Sequence, residues 1–153
     1  MNAAFPSDGR LAGIDYGTVR IGIAVTDPER RLASPWDNYD RQSPAADADY
    51  FRRLVEAEGI VGFVVGLPVH ASGEEGEKCR EARRFGQWLA ELTGRPVRFF
   101  DERYSSVQAE QWLAGADLSR KQRKQRRDML AAQIMLAAYL ESPAAEPPGA
   151  LDD

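Results

Sequence analysis

The beginning of the chain combines short apolar runs with tight turns, which predicts strands joined in hairpins. An apolar run covers residues 10–15 and ends in an acid, Gly17 follows in a turn, and residues 21, 23 and 25 are aliphatic. Apolar residues at alternate positions are typical of a strand with a buried face. Asp27 and Pro28 give the next turn signal, and residues 31–35 are predicted to form a short third strand before a polar loop.

The rest of the chain alternates between helix and strand patterns with clear start and stop signals. Ser43 before a proline is an N-cap signal, and Gly59 and Gly94 each follow a helical pattern as C-caps. Ser72 with Glu75 forms a capping-box pattern. The predicted elements are a helix over 44–58, a strand over 60–66, a helix from about 72 to 92, a strand over 95–101, a short helix from 105 and a last helix from 119 to about 141.

This order of elements predicts an α/β fold in which a mixed five-stranded sheet carries helices on both faces. Strands joined in hairpins are antiparallel, and strands that alternate with helices are parallel. The carboxyl ends of the central strands then open at one edge, where sites in such sheets usually lie. A chain of 153 residues fits one domain. We assign the domain to residues 10–141 and expect residues 1–9 and 142–153 to be disordered termini.

Composition excludes several classes of protein. Hydrophobic residues make up 43% of the chain and charged residues 29%, which is typical of a globular domain and not of a disordered or fibrous one. The apolar stretches are shorter than the roughly 20 residues of a membrane span, so no membrane partner is expected. The single cysteine, Cys79, cannot form an internal disulfide, which favours a cytoplasmic location.

The net charge of −4 and the pI near 5.1 conceal a concentrated basic segment. Six cations fall within eight positions, with no acid among them: Arg120, Lys121, Arg123, Lys124, Arg126 and Arg127. The rest of the chain therefore carries a charge of −10. This basic run can hold the phosphates of a nucleic acid by local attraction, and a solvated helix face is the alternative interpretation.

Four acids fall at strand ends and on the last helix. Asp15 ends the first strand, Asp101 and Glu102 end the last strand, and Asp128 lies in the final predicted helix. With 3.6 residues per turn, Asp128 begins a stripe whose other members are Ala131, Ala132, Met135 and Tyr139. The two alanines should let this helix approach the sheet closely, which would direct Asp128 toward Asp15 and Glu102.

A cluster of carboxylates requires compensation, because the charges repel one another and lose hydration. Protonation or a divalent cation can supply it. Oxygen ligands select a hard ion such as Mg²⁺ or Mn²⁺, and one His with one Cys is a poor match for zinc. Two ions about 4 Å apart can activate a water and stabilise the leaving oxygen in an in-line displacement at phosphorus. Taken singly, each acid has an ordinary alternative as a turn former or an ion-pair partner.

Four motifs follow one another along the chain. They are GIDYGTVRIGIAV at 13–25, VGLP at 65–68, DER with two serines at 101–106, and Asp128 before two alanines. The region of about residues 10–140 that holds them resembles the YqgF/RuvX family of bacterial RNase H-like nucleases, which are described as Holliday junction resolvases and as pre-16S ribosomal RNA nucleases. The resemblance implies an RNase H-like fold for the mixed sheet.

Position in these motifs implies roles for individual acids. By resemblance, Asp15, Glu102 and Asp128 are the metal-binding catalytic residues, with Asp101 as a fourth catalytic candidate. The implied cofactor is Mg²⁺ or Mn²⁺, bound as two ions. Val19 stands where the family commonly has a lysine, which leaves Arg20 as the fixed positive charge of the first turn.

The resemblance also implies a partner and a reaction. Arg20, Arg103 and the six cations of the basic run are the expected nucleic-acid contacts, and orientation of the Glu102 carboxylate is the alternative role of Arg103. The favoured function is a metal-dependent nuclease that hydrolyses phosphodiester bonds of structured nucleic acid, with 5′-end processing of precursor 16S ribosomal RNA as the reaction. A Holliday junction resolvase acting on branched DNA is the alternative within this chemistry, and a non-catalytic RNA-binding module is the alternative outside it. Monomer and homodimer both remain open.

Overall fold

The computed structural model describes residues 5–105 and 127–141, which form five strands, three α-helices and one 3₁₀ turn. The strands are β1 (Arg10–Asp15), β2 (Arg20–Thr26), β3 (Ala33–Asp40), β4 (Ile60–Leu67) and β5 (Val97–Asp101). The helices are α1 (Pro44–Glu58), α2 (Glu77–Thr93) and α3 (Arg127–Glu141), and the 3₁₀ turn covers Glu102–Tyr104.

The strands lie in one mixed sheet in the order β3-β2-β1-β4-β5. β1 and β3 pair antiparallel with β2, while β4 lies parallel to β1 and β5 parallel to β4. This confirms the predicted sheet of three antiparallel strands followed by parallel strands. Because β1, β4 and β5 run in the same direction, their carboxyl ends meet at one edge of the sheet. That edge carries Asp15 from β1 and Asp101 from β5.

Both faces of the sheet are covered by helices, because successive side chains of a strand point to opposite faces and each face is apolar. One face packs against α1 and α2. Its buried residues include Ile14, Ile23, Phe51, Val65, Phe85, Leu89 and Phe99. The other face packs against α3. Its buried residues include Leu11, Ala24, Val64, Phe100, Ala132, Met135, Leu136 and Tyr139.

Helix α3 lies close to the sheet because two strand residues under it have no side chain. A Cβ on Gly13 would lie 2.9 Å from the Cβ of Leu136, and a Cβ on Gly22 would collide with the carbonyl oxygen of Asp128. The predicted approach through alanines holds for Ala132, which is fully buried. The glycines of β1 and β2 bring the backbone of the helix nearer than the alanines could alone.

Strand β3 is longer than predicted, since it covers Ala33–Asp40 and not residues 31–35. Its polar residues bond to other elements. The Tyr50 hydroxyl donates to Asp37 Oδ2 (2.6 Å), and the backbone N–H of Met129 donates to Asn38 Oδ1 (2.7 Å). These partners are distant in sequence, so the segment reads as a loop until the fold is known.

The helix boundaries confirm one capping prediction and contradict another. Ser43 caps α1 by accepting a hydrogen bond from the backbone N–H of the third residue after it (3.1 Å), and Gly59 ends the helix with φ 62°. The predicted capping box of α2 is wrong, because the helix begins after Gly76, which offers no side-chain cap. The Glu75 carboxylate instead binds the Arg83 guanidinium through two contacts of 2.6 Å.

Two residues that precede β1 contact the rest of the domain. The Phe5 ring lies 6.3 Å from the Tyr139 ring in an edge contact, and the Arg98 guanidinium lies 4.5 Å from the centre of the Phe5 ring. Arg30 Nε donates to the carbonyl oxygen of Gly9 (2.8 Å). The Phe5 side chain therefore packs against the core under α3, and the disorder predicted for residues 1–9 stays a prediction.

Several predicted features fall outside the described residues. These are the short helix from 105, the start of the last helix, the basic run before Arg127, residues 1–4 and the tail from 142. None of the helices in the described part of the chain has the length and hydropathy needed to span a bilayer.

Candidate active site

Asp15 lies at the carboxyl end of β1 on the face that packs against α3. Two residues before it, Gly13 contacts Leu136 of that helix, and strand alternation places Asp15 on the same face. Asp15 pairs with Gly22 of β2, which contacts the backbone of Asp128. Burial, and secondly the negative charge of Asp128, raise the pKa of Asp15 from 3.8 to about 6. The folded protein therefore disfavours the ionised form of this carboxyl group.

Glu102 follows β5 directly, and its side chain lies over Gly66 of β4. A Cβ on Gly66 would come within 2.5 Å of Glu102 Oε1, so this strand position accommodates the carboxylate because it has no side chain. Burial raises the pKa of Glu102 from 4.5 to about 7, and the charges of Asp15 and Asp101 contribute in the same direction. Asp15 and Glu102 are thus near enough to repel each other in a largely buried site.

Asp128 lies in the first turn of α3, where two contacts fix the helix start. One is the packing of its backbone on Gly22, and the other is the hydrogen bond from Met129 N–H to Asn38. Arg20 Nε donates to Asp128 Oδ2 at 3.3 Å, and the Arg20 side chain remains 57% exposed. The structure therefore brings Asp128 to the face that holds Asp15 and Glu102, and the Arg20 guanidinium lies on the exposed side of Asp128.

Asp101 lies on the opposite face of the sheet from these three acids. Phe99 packs toward α1 and α2 and Phe100 packs toward α3, so alternation directs Asp101 toward α2. Asp101 is fully buried, and its carboxylate accepts from Arg103 Nη2 at 2.6 Å and Nε at 2.9 Å. The fourth predicted acid and the predicted nucleic-acid contact at Arg103 are therefore bonded to each other.

The turn after Asp15 is held by a residue that the sequence did not indicate. The Arg41 backbone N–H donates to the carbonyl oxygen of Val19 (2.9 Å), and Arg41 Nη1 donates to the Tyr16 hydroxyl (2.9 Å). The buried Asp47 accepts from Arg41 Nε at 3.3 Å. Arg41 therefore ties both ends of this turn to the beginning of α1.

The other features that sequence reasoning missed are Gly22 and Gly66. Each interrupts an apolar strand, which is a recognised signal of close approach by another group. Arg41 gives no comparable signal, because its contacts with Tyr16 and Val19 are identified only when distant segments come together.

The three acids on the α3 face offer oxygen donors of the type that hard divalent cations prefer. The raised pKa values of Asp15 and Glu102 indicate a site where a cation would relieve repulsion. Among residues 5–105 and 127–141, no three Asp, Glu, His or Cys side chains converge on one point from which an ion could be held. The donor chemistry of these acids fits a divalent cation, and Asp128 would have its Oδ1 to offer while Oδ2 accepts from Arg20.

Comparison with known sequences identifies the family. The model of the RuvX family, described as Holliday junction resolvase, matches residues 9–142. A protein of Rhodopirellula baltica is 48% identical over 138 residues, which are 90% of this chain and 80% of that protein. A protein of Rhodobacter capsulatus is 42% identical over 139 residues, which are 91% of this chain and 87% of that protein. Both relatives are named as pre-16S rRNA nucleases.

Comparison with solved structures identifies the fold. The chain resembles T. thermophilus RuvC in complex with a Holliday junction substrate, with a TM-score of 0.56 and 17% identity over 91% of this chain and 99% of that chain. It also resembles the yeast mitochondrial Holliday junction resolvase Ydc2, with a TM-score of 0.50 and 13% identity over 90% of this chain and 80% of that chain. The chain has this RNase H-like fold, and the family model matched over residues 9–142 with the two relatives shows that it belongs to the RuvX family of nucleases.

Proposed function

We propose that this chain is a divalent-metal nuclease that hydrolyses phosphodiester bonds of precursor 16S ribosomal RNA. The observation that carries the proposal is the pair of largely buried carboxylates at Asp15 and Glu102, whose pKa values rise to about 6 and about 7. A folded protein does not gain stability from two repelling acids in a buried site. Such an arrangement is typical of a functional site, because a ligand supplies the missing compensation.

Asp15, Glu102 and Asp128 are the proposed ligands of Mg²⁺ or Mn²⁺. When bound, a pair of these ions supplies an activated water and stabilises the leaving oxygen of an in-line displacement at phosphorus. All three acids lie on the α3 face of the sheet. Asp128 packs with its backbone on Gly22 of β2, and the Glu102 side chain packs on Gly66 of β4.

Arg20 is the proposed contact for the substrate phosphate at this site. Its guanidinium lies at the exposed side of Asp128, and its Nε is the donor to that carboxylate. Asp128 would hold a metal ion through Oδ1, and the Arg20 guanidinium would offer its remaining N–H groups to a phosphate oxygen. Guanidinium and phosphate form strong charge-assisted hydrogen bonds, so Arg20 could pair with Asp128 and a phosphate together.

The relatives' names favour RNA as the substrate, since the two proteins at 48% and 42% identity are named for precursor 16S rRNA. The description of the RuvX family favours a second substrate, the four-way DNA junction. Symmetric cleavage of a junction requires two active sites, so this second function also requires a homodimer.

Cleavage assays separate the candidates. Purified protein is incubated with Mg²⁺ or Mn²⁺ and labelled precursor 16S rRNA, single-stranded RNA or a four-way DNA junction, beside an Asp15→Asn variant. We expect cleavage of precursor RNA that disappears in the variant and in EDTA. Cleavage of the junction alone would contradict the RNA substrate and favour junction resolution. Binding of RNA without cleavage in either metal would contradict the nuclease proposal and favour a non-catalytic RNA-binding module.

A further inference from the structure

The end of β5 sends consecutive carboxylates to opposite faces of the sheet. Asp101 points toward α2 and is fully buried, while Glu102 lies over Gly66 on the α3 face. Arg103 then returns to Asp101: its backbone N–H donates to Asp101 Oδ1 at 2.9 Å, its Nε to Oδ2 at 2.9 Å and its Nη2 to Oδ2 at 2.6 Å. The residues on either side of Glu102 are therefore bonded to each other.

These bonds restrain the backbone that carries Glu102. Asp101 is the N-cap of the 3₁₀ turn, and the backbone N–H of Ser105 donates to the carbonyl oxygen of Glu102 at 3.0 Å. A buried carboxylate with a two-point guanidinium contact is costly to separate from its partner, because the fully buried Asp101 would be left as an unpaired charge. Glu102 can therefore change its side-chain rotamer but not the direction in which its backbone presents the side chain.

The same guanidinium reaches the loop between β4 and α2. Arg103 Nη1 donates to the carbonyl oxygen of Ala71 at 3.5 Å, and it lies 3.7 Å from the Cβ position of Gly73. Nε, Nη1 and Nη2 of Arg103 are all engaged within the chain. This geometry suits a residue that joins structural elements better than one that grips a phosphate.

We propose that Asp101 and Arg103 form a positioning pair that sets Glu102 for metal binding and does not contact nucleic acid. The inference rests on the proposed metal site and deepens it, because it assigns a role to the two residues that flank a ligand. Partners that orient a metal ligand typically change metal affinity about 10- to 100-fold when they are removed.

The test measures Mn²⁺ affinity and, separately, nucleic-acid binding without metal. In Arg103→Gln, we expect the Mn²⁺ Kd from calorimetry to rise about tenfold or more. The salt dependence of RNA binding in EDTA should stay unchanged, whereas loss of one phosphate contact would lower the log-log slope by roughly 0.7 to 0.9. Arg103→Lys should also bind Mn²⁺ weakly, because an ammonium keeps the charge but cannot make the two-point contact.

Arg83→Gln is the matched control. It breaks the Glu75–Arg83 pair, which has two 2.6 Å contacts and whose guanidinium lies 5.2 Å from the centre of the Phe99 ring on β5. This variant should lose stability but keep the wild-type Mn²⁺ Kd. If Arg103→Gln does not fold, the double variant Asp101→Asn with Arg103→Gln leaves no unpaired buried charge, and its Mn²⁺ Kd should still rise.

The outcomes separate this inference from the proposed function. A wild-type Mn²⁺ Kd in the Arg103 variants, or a lowered salt slope, would overturn the positioning role and leave the metal site intact. If Arg83→Gln weakened Mn²⁺ binding as much as Arg103→Gln, the loss of affinity would come from general destabilisation. This result would also overturn the positioning role. Failure of the wild-type protein to bind Mn²⁺ at all would overturn the proposed metal site, and this inference with it.

Discussion

Replacing Asp15 with asparagine should abolish cleavage and at the same time stabilise the metal-free protein. The pKa of Asp15 rises from 3.8 to about 6, a difference of about 2 units, and each unit corresponds to about 1.4 kcal/mol, so ionised Asp15 destabilises the folded state by about 3 kcal/mol at pH 8. The asparagine amide must still lose hydration in the same site, which costs about 1 to 2 kcal/mol. We therefore expect a net gain of about 1 to 2 kcal/mol in the free energy of unfolding.

The measurement is urea unfolding in EDTA at pH 8 and pH 4. The sign follows from proton binding: between pH 4 and pH 6 the folded state holds a proton that the unfolded state releases, so wild-type stability falls as pH rises through that range. Asp15→Asn should be the more stable protein at pH 8 and the less stable one at pH 4, by about 1 kcal/mol, because the hydration cost of the amide remains when the carboxyl group is protonated. Cleavage should fall about 100-fold or more, because a lost metal contact removes several kcal/mol of transition-state stabilisation.

Asp49→Asn is the control, because this acid on α1 is 61% exposed and lies apart from the site. It should change neither stability nor cleavage. The reasoning is refuted if Asp15→Asn destabilises the protein equally at pH 8 and pH 4, because the carboxylate would then be a stabilising turn residue. Retained cleavage with increased stability would contradict the catalytic role alone.

Three further predictions follow from other features of the site. Relative to Glu102→Gln, the metal-free wild-type protein should lose stability as pH rises from about 4.5 to about 7, because folding raises the pKa of Glu102 across that range. A difference in the free energy of urea unfolding between the two proteins that stays constant with pH would contradict this. Gly22→Ala should destabilise the protein by about 1 to 3 kcal/mol in urea, because the new Cβ meets the Asp128 carbonyl oxygen; an unchanged midpoint would refute that contact. Neutralising Arg126 and Arg127 together should lower the slope of log binding constant against log salt concentration for RNA by roughly 0.7 to 0.9 per lost phosphate contact. An unchanged slope would favour the interpretation of the basic run as a solvated helix face.

The sequence by itself determined the order of the elements and the family. The alternation at 21, 23 and 25 and the stops at Gly59 and Gly94 act over a few residues, so local physical chemistry is sufficient to read them. The motifs at 13–25 and 101–106 indicated the family, and the matched family model confirms it. The same local reasoning failed at β3 and at the start of α2, where partners distant in sequence decide the structure.

Only the tertiary structure decided which acids share a face. Asp101 and Glu102 are adjacent in sequence and equivalent as carboxylates, yet strand alternation and the return of Arg103 place them on opposite sides of the sheet. The close approach of the α3 backbone to Gly22 depends on the register of β2 and on the position of α3. Burial and charge repulsion are sums over all surrounding groups, so the pKa of Asp15 is a property of the folded assembly of strands and helix and not of any local segment.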